Sequence, residues 1–356
     1  MNPLSFYRDQ ALFGLDIGHS SLKVMQLDSR AGKTPRVLGY GVASYLPKAI
    51  KAGIITDHKA LHDSLFQLLD KDLVGEIDTR RVACTIPTAL TFSRSMKLPP
   101  MARSGLAEAV NLEAEQYIPI PIANLYLDYE ISHEDAQGIE LLMVATPRNI
   151  IDSHVAFLEK VGLDPVALEP TMNSAGRLFA LTDSSHTQPS ILIDFGSVAV
   201  DVAVFDKTMF VNTTVQGGGD DITKLIAQQL KVTPAKAQDL KNKYGLGSSP
   251  KQKEIKQAIK PLLDNLVHEI QKIVRYYNDH QTQGPRKIAQ IVAIGGGANI
   301  PGLNDFLSGE LHLPARKLEP WKAIDFGDLV MPSEIDRLMY TTVAGAASLN
   351  PKEIFA

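Results

Sequence analysis

Residues 13–28 read FGLDIGHSSLKVMQLD, and residues 191–206 read ILIDFGSVAVDVAVFD. The two stretches align without a gap at an offset of 178 residues, which places Asp16 on Asp194 and matches the glycines that follow them. Each contains an apolar run, an aspartate, a glycine, small residues and a second apolar run. This order predicts a β-hairpin, because the tight turn between two strands needs the backbone freedom of glycine. The chain has 356 residues, so the offset is half its length and indicates an internal duplication.

The shared aspartates favour a duplication over the alternative, two unrelated hairpins that carry a common turn motif. Asp16 and Asp194 each lie at the end of an apolar run. A buried sheet seldom keeps a carboxylate there unless the carboxylate is paired, hydrogen-bonded or close to a cation. Their position therefore favours a ligand-binding role for both hairpins.

Two triple-glycine segments follow the hairpins. Residues 217–223 read GGGDDIT and precede an amphipathic helix that we expect to end at Leu230. The apolar run 291–294 leads into GGGANIPGL at 295–303. Backbone N–H groups can approach a ligand closely where glycine replaces a side chain. One such loop is weak support, but two hairpins and two glycine loops in this order form a specific set.

Composition and charge exclude several classes of protein. Hydrophobic residues make up 44% and charged residues 21% of the chain, which is typical of a folded globular protein. The net charge of −4 does not favour a nucleic-acid partner. The single cysteine, Cys84, excludes an internal disulfide and lies in an apolar run that predicts a buried strand. We expect neither a membrane span nor a secretion signal. The expected location is therefore the cytoplasm.

The combined motifs resemble those of the actin/Hsp70/sugar-kinase ATPase superfamily. This resemblance implies an α/β fold of the actin-like ATPase type, with two duplicated α/β halves around a nucleotide cleft. Residues 169–176 look like the first helix that connects the halves in that superfamily, and residues 341–349 look like the second. Small side chains in both segments would let the two helices cross closely.

The segment between the hairpins resembles the inserted subdomain of the bacterial FtsA and PilM families. We predict in it a strand over 82–98, a helix over 106–118, strands over 125–131 and 139–146, a helix over 149–162 and a short strand near 165–167. The helix end at 115–119 and the opening at 12–18 look like PilM, the cytoplasmic type IV pilus assembly family. FtsA proteins carry a C-terminal membrane-binding amphipathic helix, whereas this sequence ends at Ala356. The expectation is therefore an FtsA/PilM-type inserted subdomain in a PilM-like chain.

The resemblance also implies a division into domains. The predicted segments are 11–81 (first half with the first phosphate hairpin), 82–166 (inserted subdomain), 167–188 (first connecting helix and return to the first half), 189–340 (second half with the second phosphate hairpin and the adenosine motif) and 341–356 (second connecting helix and C-terminus).

Superfamily motifs map onto individual residues of this sequence as a site for ATP or ADP with Mg²⁺. The residues implied to bind phosphate are Gly18, His19, Ser20, Ser21, Lys23, Gly196, Ser197, Gly218 and Gly219. Those implied to bind the nucleoside are Gln238, Lys241, Gly296, Gly297 and Asn299. Asp16 and Asp194 would hold Mg²⁺ through water. Glu169 would be the catalytic residue that orients or deprotonates the attacking water, with a carboxylate at a helix N-terminus as the alternative.

Two departures from the superfamily pattern bear on turnover. Gln238 stands where the family often has glutamate, so a contact with the ribose would be a neutral hydrogen bond. Val198, Ala199 and Val200 supply no hydroxyl after the second hairpin's glycine, which would weaken the contact with the γ-phosphate. We therefore expect ATP binding with slow or absent hydrolysis.

The PilM resemblance implies an ATP-binding adaptor of the type IV pilus assembly platform, peripheral at the inner face of the inner membrane through its partners. Expected partners are the N-terminal cytoplasmic peptide of PilN, the pilus motor ATPases and other copies of the chain, without nucleic acid and without direct membrane insertion. One alternative is an FtsA-like filament-forming scaffold. The other is a small-molecule kinase of the same superfamily, although the sequence shows no polar sugar-binding cluster.

Overall fold

A computed structural model describes residues 10–28, 34–281 and 284–350 of the chain. The chain divides into two compact units. The first unit contains the described residues up to Leu178, the segment Ala323–Met331 and the described residues from Thr342 onward. The second unit contains Phe179–Lys322 and Pro332–Thr341. The predicted domain boundaries stay predictions, and residues 29–33, 282–283 and 351–356 of those segments lie outside the described residues.

The strands and helices follow one another along the chain as two αβ series. Up to residue 182 they are β1 (Phe13–Ile17), β2 (Ser21–Asp28), β3 (Arg36–Ser44), β4 (Ile50–Lys51), β5 (Ile54–Ile55), α1 (His58–Asp70), β6 (Val74–Gly75), β7 (Arg81–Ile86), β8 (Phe92–Leu98), α2 (Leu106–Glu115), β9 (Leu125–Asp135), β10 (Gly138–Pro147), α3 (Arg148–Lys160), β11 (Asp164–Pro170) and α4 (Thr171–Thr182). They continue with β12 (Ser190–Phe195), β13 (Ala199–Asp206), β14 (Thr208–Gln216), α5 (Gly219–Leu230), α6 (Pro234–Lys243), α7 (Gln252–Asp279), β15 (Gln290–Ile294), α8 (Leu303–Leu311), β16 (Ala315–Lys317), α9 (Glu334–Arg337) and α10 (Thr341–Ala347).

The strand pairing of the two units confirms the duplication. In the first unit the strands lie in the order β11-β7-β1-β2-β3-β6, with β1 antiparallel to β2 and parallel to β7. In the second unit the order is β16-β15-β12-β13-β14, with β12 antiparallel to β13 and parallel to β15. Both quoted stretches are thus hairpins in the same place in equivalent sheets. The chain has the predicted actin-like ATPase fold.

Each unit has its own apolar core. In the first unit, the buried leucines of α1 and Phe157 of α3 pack against the alternating apolar residues of the hairpin strands. In the second unit, the long helix α7 packs against β13 and β14, and its buried apolar residues share one core with those of β12 and β15. Cys84 lies in β7 and is fully buried, as the sequence predicts. None of the described helices is long and apolar enough to cross a membrane.

The predicted strand over 82–98 is wrong as a single element. The structure divides it into β7, which pairs with β1, and β8, which pairs with β10. Pro87 and a single helical turn at Thr88–Leu90 separate the two strands. Proline lacks a backbone N–H for the ladder, so it ends a strand inside a sheet. The apolar pattern runs through this interruption and therefore hides it.

Glycine lets the helix α10 lie close to its neighbours in the first unit. A Cβ on Gly345 would lie 1.9 Å from the carbonyl oxygen of Ser174 in α4. A Cβ on Gly14 in β1 would lie 2.4 Å from the carbonyl oxygen of Val343. Both distances are far shorter than any real contact of a methyl group. The expected close approach of the segments 169–176 and 341–349 is confirmed at Ser174 and Gly345.

Candidate functional site

The two hairpin turns share one backbone geometry. The N–H of Gly18 donates to the carbonyl of Ser21 at 3.0 Å, and the N–H of Gly196 donates to the carbonyl of Ala199 at 3.1 Å. Asp16 pairs across its hairpin with Lys23, and Asp194 pairs with Asp201. Residues related by the offset of 178 therefore make the same turn hydrogen bond and the same strand pairing. The residue opposite the aspartate is not conserved between the two copies, being lysine in one unit and aspartate in the other.

Asp16 is a buried carboxylate with two protein partners. The ammonium of Lys23 donates to its Oδ2 at 2.8 Å, and the hydroxyl of Thr85 donates to its Oδ1 at 2.7 Å. A Cβ on Gly18 would lie 3.4 Å from the same Lys23 nitrogen, so the predicted turn residue and the predicted cation are neighbours. These contacts satisfy the requirement that a buried carboxylate be paired. The structure thus brings together the predicted residues Asp16, Gly18 and Lys23 with Thr85.

Four residues of the first unit form one row across neighbouring strands. Glu169 of β11 is in register with Thr85 of β7, Thr85 with Asp16 of β1, and Asp16 with Lys23 of β2. Strands lie about 4.8 Å apart, so the backbones of Glu169 and Asp16 are separated by about 10 Å. The predicted catalytic residue and the predicted metal ligand therefore belong to the same row of the sheet.

Glu169 is held by a guanidinium and a hydroxyl. Arg177 donates to its Oε1 at 2.7 Å and to its Oε2 at 2.5 Å, and Ser174 donates to Oε1 at 2.5 Å. Arg177 also donates to the carbonyl of Gly345 at 3.0 Å. Glu169 is the residue before Pro170, the last residue of β11, and therefore precedes α4 rather than lying in its first turn. Its catalytic role stays a prediction, and its observed contacts join α4 to α10.

The second hairpin turn is supported by the segment that begins α5. The N–H groups of Gly217, Gly219 and Asp220 donate to the carbonyls of Val198, Gly196 and Ser197 at 3.2, 2.9 and 2.8 Å, respectively. A Cβ on Gly218 would lie 2.5 Å from the carbonyl carbon of Ser197, so no other residue fits there. The N–H of Gly218 itself donates to Asp221 at 3.3 Å. The N–H groups of Gly218 and Gly219, predicted to contact phosphate, are thus used inside the protein to hold the turn.

The glycines after β15 lie against the second aspartate. A Cβ on Gly295 would be 2.1 Å from Oδ1 of Asp194, and a Cβ on Gly297 would be 2.8 Å from the Cβ of Phe195. Gly295 has a φ of +76°, a backbone angle that residues with a side chain rarely adopt. Gly296, between them, is exposed and has no atom within 4 Å of its Cβ position. The structure therefore joins the second phosphate motif and the adenosine motif into one cluster.

The predicted nucleoside residues of α6 contact the start of α5. Lys241 is buried, and its ammonium donates to the carbonyl of Gly219 at 2.8 Å and to Thr223 at 2.9 Å. Burial lowers the pKa of Lys241, an effect that the charge of Asp220 partly offsets. Gln238 accepts from Thr223 at 2.7 Å and is otherwise exposed. Lys241 therefore contacts the glycine segment that begins α5, whereas Gln238 contacts α5 through Thr223.

Asn299 ends the short helical turn Gly296–Asn299 that follows β15. Its amide donates to the carbonyl of Ile335 at 2.8 Å, and its Oδ1 accepts from Lys317 at 2.9 Å. The predicted contact of Asn299 with a nucleoside stays a prediction. In the structure this side chain connects the loop after β15 to β16 and α9.

Three polar residues of the site were absent from the sequence-based set. Thr85 carries no motif signal, because a single threonine in an apolar strand is common. Tyr45 follows β3, and its hydroxyl donates to the carbonyl of Gly18. Asp201 lies opposite Asp194 and accepts from Thr214 at 2.5 Å. Asp201 could have been found, since the repeat aligns it with Lys23 and places it beside the predicted aspartate.

Asp201 gives a stability prediction with a definite pH dependence. Burial raises its pKa to about 6, and the hydrogen bond from Thr214 only partly opposes this effect. The folded protein therefore loses stability as the pH rises from about 4 to 6, and the loss is complete above that range. In metal-free buffer, Asp201→Asn should raise the free energy of unfolding at pH 8 by up to about 3 kcal/mol, with little change at pH 4. Urea titration at both pH values measures this.

Asp63 provides a control of opposite sign for that experiment. It is exposed, and its pKa is lowered by hydrogen bonds from Lys59 and His62. Asp63→Asn should therefore give no stabilisation at pH 8. An equal gain for Asp201→Asn at pH 4 and pH 8 would show that charge burial is not the cause.

The carboxylates present fit a hydrated magnesium ion better than a directly liganded metal. Among the described residues, no group of three or more His, Cys, Asp or Glu side chains could hold a metal ion. Both oxygens of Asp16 already accept one hydrogen bond each, and each keeps a further lone pair for a water molecule. Mg²⁺ usually retains several waters and uses one or two carboxylates. Asp16 therefore keeps acceptor capacity for a water molecule of a hydrated Mg²⁺, and the predicted role of Asp16 and Asp194 in holding the ion stays a prediction.

Comparison with known proteins gives matches along almost the whole chain. The family model described as type IV pilus assembly protein PilM matches residues 14–348. The cell division protein FtsA of Streptococcus pneumoniae serotype 2 (strain D39 / NCTC 7466) is 24% identical over 276 residues. That match covers 68% of this chain and 58% of FtsA, so the matched region spans little more than half of that relative.

Two solved structures show the same fold. A PilM-PilN type IV pilus biogenesis complex has a TM-score of 0.79 and 22% identity, with 96% of this chain and 98% of that chain covered. MreB5 of Spiroplasma citri bound to ADP has a TM-score of 0.50 and 11% identity, with 95% of each chain covered. At these identities the likeness establishes the architecture alone.

Proposed function

Because the chain belongs to the family of type IV pilus assembly proteins PilM, we propose that it is an ATP-binding adaptor of the type IV pilus assembly platform. The observation that carries the nucleotide part of this proposal is the duplicated hairpin. Each copy has an aspartate at the end of its first strand and the same glycine turn bond at 3.0 or 3.1 Å. The similar fold of MreB5, whose structure holds ADP, supports the same interpretation.

The proposed chemistry is binding of a polyanion by backbone donors, a cation and fixed dipoles. N–H groups of the turns at 18–21 and 196–199 would donate to phosphate oxygens, together with the hydroxyls of Ser20, Ser21 and Ser197. Lys23 lies 2.8 Å from Asp16 and would place its positive charge beside the phosphates. Gly295 to Gly297 and Lys241 would border the nucleoside.

Hydrolysis is proposed to be slow or absent. Glu169, the candidate for activating water, is engaged by Arg177 and Ser174 and would have to leave both to accept a proton. Val198 is 41% exposed at the tip of the second turn, where a hydroxyl would otherwise support the γ-phosphate. Both features favour a protein that responds to bound ATP over one that rapidly consumes it.

The proposed partner is the N-terminal cytoplasmic peptide of a PilN-type membrane protein. The similar structure that carries PilN in its name supports this assignment. The adaptor would lie at the inner face of the inner membrane through such partners and would couple the platform to the pilus motor ATPases.

A peptide-binding measurement tests the adaptor proposal. A fluorescently labelled N-terminal peptide of the PilN-type protein should bind the full chain at micromolar concentration or below, as a rise in fluorescence anisotropy. A scrambled peptide of the same composition is the control, since it keeps charge and hydrophobicity but loses the order of side chains. Equal binding of the two peptides, or binding of neither, would contradict the proposed partner.

Self-association in the manner of a filament-forming scaffold is a second candidate, favoured by the match to FtsA. It predicts that the purified chain sediments with ATP and stays in the supernatant without it. An adaptor that acts as a single copy would stay in the supernatant in both cases.

A further inference from the structure

We infer that Tyr45 is a positioning residue for the phosphate-binding turn of the first hairpin. It fixes two carbonyl groups of the turn on one side and thereby presents two backbone N–H groups to a phosphate on the other. The inference deepens the proposed function and rests on it, since it assumes that the turn at 18–21 binds phosphate.

Tyr45 contacts the turn with both its side chain and its backbone. It follows the last residue of β3 and is only 7% exposed. Its hydroxyl donates to the carbonyl of Gly18, and its backbone N–H donates to the carbonyl of Ser20 at 3.0 Å. One residue outside the repeat thus holds two of the peptide groups in the turn.

The geometry of the peptide bond fixes the directions of two N–H groups in the turn once their carbonyls are held. A trans peptide is planar, and its C=O and N–H point in opposite directions. The carbonyl of Gly18 points at Tyr45, so the N–H of His19 in the same peptide points away from it. The carbonyl of Ser20 likewise directs the N–H of Ser21 away from Tyr45. Neighbouring N–H groups on one side of a turn form an anion-binding concavity.

The second hairpin reaches the same arrangement with other residues. There the carbonyls of Gly196, Ser197 and Val198 accept from backbone N–H groups of the segment 217–220. Those contacts direct the N–H groups of residues 197–199 to the opposite side of the turn. The first hairpin lacks a glycine-rich segment at this place and uses Tyr45 instead. Anchored carbonyls are therefore common to both turns, although the anchoring groups differ.

Loss of the tyrosine hydroxyl would leave the Gly18 carbonyl without this donor. The peptide between Gly18 and His19 would then be free to rotate and present its carbonyl oxygen to the phosphate. An oxygen dipole there repels the anion, whereas the N–H attracts it. The effect should therefore grow with the number of phosphates on the ligand and vanish for a ligand with none.

Tyr45→Phe tests this inference with ATP, ADP and adenosine as probes. Calorimetric titration of the full chain with Mg²⁺ present should show that ATP and ADP bind about tenfold more weakly than to the unmodified chain, consistent with one lost hydrogen bond. Adenosine should bind within twofold of its original affinity. The ratio of ATP to adenosine affinity is the decisive quantity, because a general loss of folded protein lowers both together.

Tyr40→Phe is the matched control. Tyr40 lies in β3, is 5% exposed and donates its hydroxyl to a backbone carbonyl, that of Val330. It therefore loses the same kind of hydrogen bond in the same unit, but away from the turn, and should leave all three affinities unchanged. If the unmodified chain binds ATP and Tyr45→Phe keeps its ratio of ATP to adenosine affinity, the inference is wrong while the proposed function stands. Failure of the unmodified chain to bind ATP would overturn both.

Discussion

Asp16→Asn and Asp194→Asn are each expected to weaken the binding of Mg·ATP by about 10- to 100-fold, the usual range for residues that hold a metal through a second layer of contacts. Asparagine keeps the size of the side chain and an oxygen that Thr85 can donate to at residue 16. It removes the negative charge that a hydrated Mg²⁺ needs. Calorimetric titration measures the loss, and urea unfolding shows whether each variant is folded.

Asp206→Asn controls for the loss of a partly buried carboxylate. Asp206 ends β13, at the opposite end of that strand from the turn, and pairs with Arg286. Tyr277 also donates to it at 2.7 Å. This variant should lose stability but keep its affinity for Mg·ATP. Unchanged affinity in Asp16→Asn and Asp194→Asn together would place the nucleotide elsewhere.

Gly345→Ala is expected to be strongly destabilising, by about 3 kcal/mol, the upper end of the usual cost of an overpacked core. The added methyl would lie 1.9 Å from the carbonyl oxygen of Ser174 and 2.5 Å from its carbonyl carbon. Both are backbone atoms of a helix, so neither can move aside as a flexible side chain would. Urea unfolding of the variant and the unmodified chain measures the difference.

Gly309→Ala is the matched control for Gly345→Ala. Gly309 also lies inside a helix, α8, and nothing lies within 4 Å of its Cβ position. Alanine is favoured over glycine in a helix by roughly 0.5–1 kcal/mol, so this variant should be neutral or slightly more stable. If Gly345→Ala were also neutral, the close crossing of α4 and α10 would not be a real feature of the protein.

The hairpins could be predicted from the sequence because their signal is local. Alternating apolar runs around a glycine specify two strands and a turn, and the repeat at 178 residues specifies a second copy. The same local logic located α5 and its end at Leu230. It failed over 82–98, where an apolar pattern continues through Pro87 while the chain changes partner strands.

The remaining site contacts depend on residues far apart in the chain. Thr85 lies 69 positions from Asp16 and reaches it only because β7 pairs with β1. Tyr45 reaches Gly18 because β3 folds back along β2. Glu169 shows the converse, since its motif predicts catalysis but only the structure reveals Arg177 beside it. A single sequence records residue types, whereas pairing between distant strands decides which of them meet.

Calorimetric titration of the unmodified full chain with ATP in magnesium buffer tests the central claim, that the duplicated hairpins bind nucleotide. We predict saturable binding of one ATP per chain, with a clear loss of affinity when a chelator removes Mg²⁺. The absence of saturable binding at millimolar ATP would contradict the claim. An ATP affinity that changes neither with the chelator nor with the Asp16→Asn substitution would contradict the assignment of the site.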